Sequence, residues 1–195
     1  MRKIVLLIIF ICCISIGNSQ VQFGVKAGIN LTDFSYSNIY YGSSYQSKTN
    51  FNLGIMLSVP LSPVFYLQPE MVYSGQGAIY NDIPNSVTLQ YNYDYLNVPV
   101  LIKYQSVAGF FIETGPQIGL LLSAADTKMN IDQISNSNTI EFAWAAGLGY
   151  QITKIHLGVD VRYNIGISNV NTTYDLVGPM HNSVYQFGVF YLFSK

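Results

Sequence analysis

Apolar and polar residues alternate one by one along most of this chain, a period of two that belongs to extended strands rather than to helices. The pattern is sharpest at 95–104, where Leu96, Val98, Val100, Ile102 and Tyr104 would share one face and Asn97, Pro99, Leu101 and Lys103 the other. Residues 23–32 repeat it, with Phe23, Val25, Ala27, Ile29 and Leu31 against Gly24, Lys26, Gly28, Asn30 and Thr32. Further strands are expected at 51–59, 65–77, 110–122, 140–152, 155–167 and 183–193, and the strand containing 95–104 would begin near Leu89. In that fourth strand Tyr91, Tyr93 and Tyr95 occupy odd positions before the apolar positions become even at Leu96. A change of phase needs an extra residue, so a β-bulge is expected near Tyr95 and Leu96.

What these faces pack against decides the fold class. A soluble sandwich would bury the apolar faces in a core, yet nothing else in the chain could cover eight of them. Turned outward to lipid, with the polar faces lining a small barrel, all are satisfied. The connections agree: those at 33–49, 78–87, 123–139 and 168–182 are long and polar, whereas those at 60–63, 105–109 and 153–154 are brief. Outer-membrane barrels have long extracellular loops and short periplasmic turns, and an even number of strands returns both termini to the periplasm. The expectation is an all-β protein, an eight-stranded antiparallel transmembrane up-and-down β-barrel with strands of about ten residues crossing at a tilt of about 45°. Inward Gly and Ala suit a bore that side chains must fill. Outward Tyr73, Tyr104, Trp144, Tyr150 and Tyr191 would form interfacial girdles.

Composition narrows the setting. Half of the 195 residues are apolar, 14% are aromatic and only 10% are charged, against about 25% charged in soluble domains. Residues 1–19 read as a signal peptide, with Arg2 and Lys3 ahead of the apolar stretch 4–16 and Gly17, Asn18 and Ser19 before a cleavage point at Gln20. Residues 20–195 would then be one outer-membrane barrel domain. The alternative, an uncleaved anchor, has an apolar run short for a span. Both cysteines, Cys12 and Cys13, fall within 1–19, which leaves no disulfide or thiol nucleophile in a chain starting at Gln20, and neither follows the small residue usual before a lipidated cysteine. Without Arg2 and Lys3 there are seven basic and ten acidic residues, a net charge of −3 with no basic cluster, so no nucleic-acid partner is expected.

The inward face carries the candidate chemistry. Lys26, Glu70, Lys103, Glu113, Glu141, His156, Asp160 and Arg162 would point into the bore. Charges in a narrow barrel must be paired or solvated, so Lys26, Glu70, Lys103, Glu113, Glu141, Asp160 and Arg162 are expected to form a structural charge network. The competing reading, an acid–base pair or a metal site, needs a concave substrate site as well. No phosphate loop, serine elbow or HExxH motif occurs, and His156 and His181 are not spaced as ligands. No catalytic residue, cofactor or metal is expected. Large inward groups at several heights, among them Tyr66, Gln117, Arg162 and Phe190, would close the bore to solutes.

Four segments, LQPEMVYSGQG at 67–77, YLNVPVLIKY at 95–104, FIETGPQIG at 111–119 and VRYNIG at 161–166, resemble the outer-membrane β-barrel domain family that includes the PorT proteins of Bacteroidetes-type bacteria. The resemblance implies a small barrel of the OmpA or OmpX kind rather than a reaction. It implies outer-membrane lipid and the barrel-insertion machinery as partners, and a link to protein secretion through the member that names the family. Phe193, followed by Ser194 and Lys195, departs from the usual terminal aromatic. The expected function is a non-enzymatic scaffold for surface loops with an interaction, adhesion or secretion-accessory role, a protein partner engaging those loops. Their Tyr, Asn and Ser content is that of adaptable binding surfaces. Surface padding, a small porin-like channel, an enzyme acting on lipid or peptide, and a soluble lipocalin-like carrier are the alternatives.

Overall fold

A computed structural model describes residues 21–36, 43–82, 87–126, 138–169 and 180–193; the expected signal peptide lies outside them. It has eight strands, β1 (Gln22–Tyr36), β2 (Ser43–Pro60), β3 (Phe65–Asp82), β4 (Val87–Gln105), β5 (Phe110–Asp126), β6 (Ile140–Ile152), β7 (Leu157–Gly166) and β8 (Met180–Leu192). Each runs antiparallel to the next, and β8 returns to pair with β1 from Gly24↔Leu192 to Tyr36↔Met180, closing the barrel. No helix among the described residues is long and apolar enough to cross a membrane.

The period of two dictates what each side of the wall presents. Ile29, Leu53, Val100, Ile112, Leu148, Val161 and Val189 face out and are exposed, while Lys26, Asn30, Asn52, Glu70, Glu113 and Arg162 face in and are buried. In β6 exposed and buried positions alternate residue by residue from Ile140 to Trp144 and beyond. An apolar exterior around a polar interior inverts the arrangement of a water-soluble protein and is stable only where hydrocarbon meets the outside.

Sequence expectation and structure differ in three places. First, the strands outrun their apolar patterns. Most of the expected loops at 33–49 and 78–87 is strand, because the ladder continues through polar sequence: Ser43 pairs with Asp82, and Asp82 with Val87. Beyond the bilayer both faces meet water, so alternation disappears while the backbone still needs its partners. The remaining parts of the long connections, 37–42, 83–86, 127–137 and 170–179, lie outside the described residues.

Second, β7 begins at Leu157 rather than at 155, and residues 153–156 form the turn. His156, expected in the bore, sits in that turn with φ 57°, and its carbonyl accepts the Leu192 N–H at 3.0 Å. Third, β4 carries no change of phase. Tyr93, Tyr95, Asn97, Leu101 and Lys103 are all buried on its inner side, and Val98, Val100, Ile102 and Tyr104 face out. The expected bulge is present, between Asp94 and Tyr95 in the pairing with β5, but its extra residue belongs to β5: Asp94 pairs with Ser123 and Tyr95 with Leu121, so Leu122 is passed over. Rings fit inside here because small residues, Ala78 and Ala124, surround Tyr93 and Tyr95.

The girdle tyrosines Tyr104, Tyr150 and Tyr191, with Trp144, face out, and Tyr73 is half-buried. At the end carrying the short turns, the rim is paired ring on ring: Phe65 with Tyr104 at 5.4 Å, Phe110 with Tyr150 at 4.8 Å and Phe23 with Phe193 at 5.7 Å. Toward the long connections, Tyr163 stacks on Tyr185 at 4.6 Å. The Trp144 indole donates to Thr114 Oγ1 at 2.9 Å, and that hydroxyl donates to the Ala145 carbonyl at 3.0 Å, so neither polar group meets lipid unpaired.

Candidate functional site

Inward residues from all eight strands divide the bore into layers. Nearest the short turns, Met56, Phe111, Phe190 and Leu192 form an apolar cluster. Its two rings meet edge to face at 5.9 Å. They press against the wall where it has no side chain: a Cβ on Gly158 would lie 2.2 Å from Phe190 Cζ, and one on Gly149 would lie 2.4 Å from Phe111 Cζ. These glycines are what lets two phenylalanines fill so narrow a bore. At the other end Ala78, Tyr93, Tyr95, Leu121 and Ala124 form a second apolar cluster.

The charges lie between. Arg162 of β7 reaches across the bore and grips two carboxylates: Nη1 and Nη2 donate to Glu70 Oε2 and Oε1 at 2.8 and 2.9 Å, and Nε and Nη2 to Glu113 Oε1 at 2.9 and 2.5 Å. Gln68 Nε2 completes the group, donating to Glu70 Oε1 at 2.8 Å and Glu113 Oε2 at 3.2 Å. Lys26 of β1 contacts Asp160 of β7 at 2.7 Å, a meeting of opposite charges rather than an aligned hydrogen bond. Lys103 takes part in none of the ion pairs found among the described residues; its ammonium lies 3.8 Å from the centre of the Phe111 ring and 5.0 Å from that of Phe190. This layer balances three cations against three carboxylates, Glu70, Glu113 and Asp160. Glu141 stands apart near the long connections, accepting from Asn182 Nδ2 at 2.7 Å. So five of the seven expected network residues meet in ion pairs, Lys103 joins them through rings, and Glu141 is separate.

A chain of amides that the ionisable residues did not reveal runs alongside. Asn164 donates to Gln186 at 3.3 Å, Gln186 to Asn52 at 3.3 Å, Asn52 to Asn30 at 2.8 Å, and Asn30 to Ser74 Oγ and the Gly75 carbonyl, both at 2.9 Å. It links β7, β8, β2, β1 and β3 across the bore. The inward parity of these positions was visible; their mutual pairing depends on the register between strands distant in sequence.

Chemically, the arrangement neutralises and binds its own groups to one another. No group of three His, Cys, Asp or Glu side chains that could hold a metal gathers among the described residues. Two shallow apolar grooves, of about 220 and 250 Å³, are lined largely by outward residues such as Ile102, Ile112, Ile55 and Met71.

A closed eight-stranded wall with an apolar outside and a polar, side-chain-filled inside defines a transmembrane β-barrel of outer membranes. Residues 17–171 match the outer membrane protein beta-barrel domain family, and the chain belongs to it. The protein accordingly resides in the outer membrane with lipid against its apolar face. No curated protein matches the sequence. Among solved structures, Neisserial surface protein A superposes with a TM-score of 0.58 at 18% identity, over 88% of this chain and 97% of that one. Ail, the attachment invasion locus protein of Yersinia pestis, in complex with the heparin analogue sucrose octasulfate, gives 0.53 at 11%, over 89% and 99%. OprG from Pseudomonas aeruginosa gives 0.50 at 11%, over 92% and 99%. At these identities the likeness is one of fold.

Proposed function

We propose that this protein is a non-enzymatic pedestal, a barrel sealed from within whose specific role is carried by its surface loops in adhesion or another interaction at the cell surface. The observation behind the proposal is the bore itself, with a buried layer of mutually bound charges held between two apolar clusters. Such an interior spends its ionisable groups on one another and leaves the parts of the long connections beyond the strands, 37–42, 83–86, 127–137 and 170–179, rich in Tyr, Asn and Ser, to meet a partner. Ail, a barrel of this size, is by name an attachment protein. The resemblance to PorT proteins makes a secretion-accessory role the second reading, with the same loops engaging a secretion partner. Residues 1–19 would serve as the export signal, and the barrel-insertion machinery would assemble the mature chain.

The test is complementation of a deletion strain with the intact chain or with a chain in which 127–137 and 170–179 are replaced by short turns. Attachment to collagen- and fibronectin-coated plates and the amount of protein released to the medium are measured together. The proposal expects the shortened barrel to insert at normal levels and to fail in one of the two assays. Full complementation of a deletion phenotype by the shortened barrel would place the role in the barrel and overturn it.

A further inference from the structure

Proline lacks the N–H that a strand ladder needs and is seldom found within central strands. Here Pro69, Pro99 and Pro116 occupy three consecutive strands, β3, β4 and β5, and the ladder fails beside each of them. Pairing between β2 and β3 lapses from Met56↔Glu70 to Val59↔Leu67, opposite Pro69. Between β3 and β4 it lapses from Pro69↔Val100 to Val72↔Asn97, a gap that includes Pro99. Between β4 and β5 it lapses from Pro99↔Gln117 to Ile102↔Thr114, a gap that includes Pro116. The gaps share residues or abut, so they join into one line across the wall from β2 to β5. The β6–β7, β7–β8 and β8–β1 ladders have no such lapse. One of the two outer grooves, lined by Leu57, Pro69, Met71 and Val98 among others, lies along the line.

Arg162 holds two carboxylates beside this line. Glu70 lies on β3 within the line and Glu113 on β5 just beyond it, so the fork at 2.5–2.9 Å spans β4 from one flank to the other. Gln68, also on β3 within the line, reaches over β4 to Glu113. On β4, between the two flanks, Pro99 and Leu101 are buried. Backbone bonds missing from the wall are thus replaced by side-chain bonds directly behind it. We infer that Arg162 and Gln68 form a strap that holds a proline seam closed, and that the seam is where the wall parts first when the strap is cut. The inference rests on pairing and contacts alone and stands whether or not the loops carry the function.

Hydrogen exchange read by mass spectrometry on the full barrel in phospholipid nanodiscs tests it. Peptides covering 67–72, 97–102 and 114–117 report the seam, and those covering 158–163 and 186–191 report the continuous wall. In Arg162→Met the seam peptides should exchange on the order of tenfold faster, with little change in the continuous wall. Gln68→Met, which leaves no charge unpaired, should move the same peptides less far. Lys26→Met, which cuts the β1–β7 contact, should leave the seam as it was. If both strap variants leave the seam as protected as in the intact protein, or speed all peptides equally, the strap is disproved. Should Arg162→Met fail to fold, Gln68→Met decides by the same criterion.

Discussion

The two faces of this wall are made by the same eight strands and obey opposite rules. Outward positions such as Ile29, Val100 and Val161 need only be apolar, because hydrocarbon fits itself to any shape they present. Inward positions are each determined by a specific partner inside the bore, as Gly158 is by the ring of Phe190 on the neighbouring strand and Glu113 by Arg162 and Gln68 from strands beyond its neighbours. A change outside should therefore be read by its polarity and depth, and a change inside by what it leaves without a partner.

The largest contrast should come from Arg162→Met, which strands Glu70 and Glu113 in a buried layer and should cost about 3–5 kcal/mol in a lipid-refolding titration. Adding Glu70→Gln and Glu113→Gln should recover most of that loss, since it is the unpaired charges that are costly; a triple variant as weak as the single one would show that packing, not pairing, sets the interior. Tyr95→Ala, which empties space beside Ala78 and Leu121, should cost about 3–4 kcal/mol. If Tyr95 faced lipid instead, as a phase change in β4 would require, the same substitution would cost far less. On the outer face, Val100→Arg and Val161→Arg should each cost about 2–4 kcal/mol, and Ile155→Arg in the short turn no more than about 1 kcal/mol. Equal losses at the three positions would remove the depth dependence that lipid imposes. The smallest effect has the opposite sign. His156 holds a left-handed conformation at φ 57°, so His156→Gly should stabilise by up to about 1 kcal/mol; a loss would mean the imidazole makes a contact worth more than the strain.

The same difference between faces explains what could be read in the sequence. Strand number, antiparallel order and closure were legible because lipid demands an apolar residue at the outward positions, every second residue of a strand, from Phe23 and Val25 in β1 to Tyr191 in β8. The phase of β4 was not, since a tyrosine is at home both on lipid and in a packed bore. Strand ends beyond the bilayer were not, because Ser43 to Asn50 keep the ladder while losing the alternation. The inward charges were visible as a set, but nothing local distinguishes Glu141 from Glu113. Only the register, which brings Arg162 of β7 opposite Glu70 of β3 and Glu113 of β5, separates the gripped carboxylates from the one that bonds to Asn182.

The central claim is that the bore is sealed by its own side chains. Planar-bilayer recording of purified, refolded protein tests it most directly, with an Arg162→Ala, Lys103→Ala variant alongside to remove the longest groups from the charged layer. The account predicts a silent membrane for the unmodified barrel, and openings, if any, confined to the variant. Steady, reproducible conductance steps from the unmodified protein, of the size expected for a water-filled pore, would contradict it and make the protein a small channel.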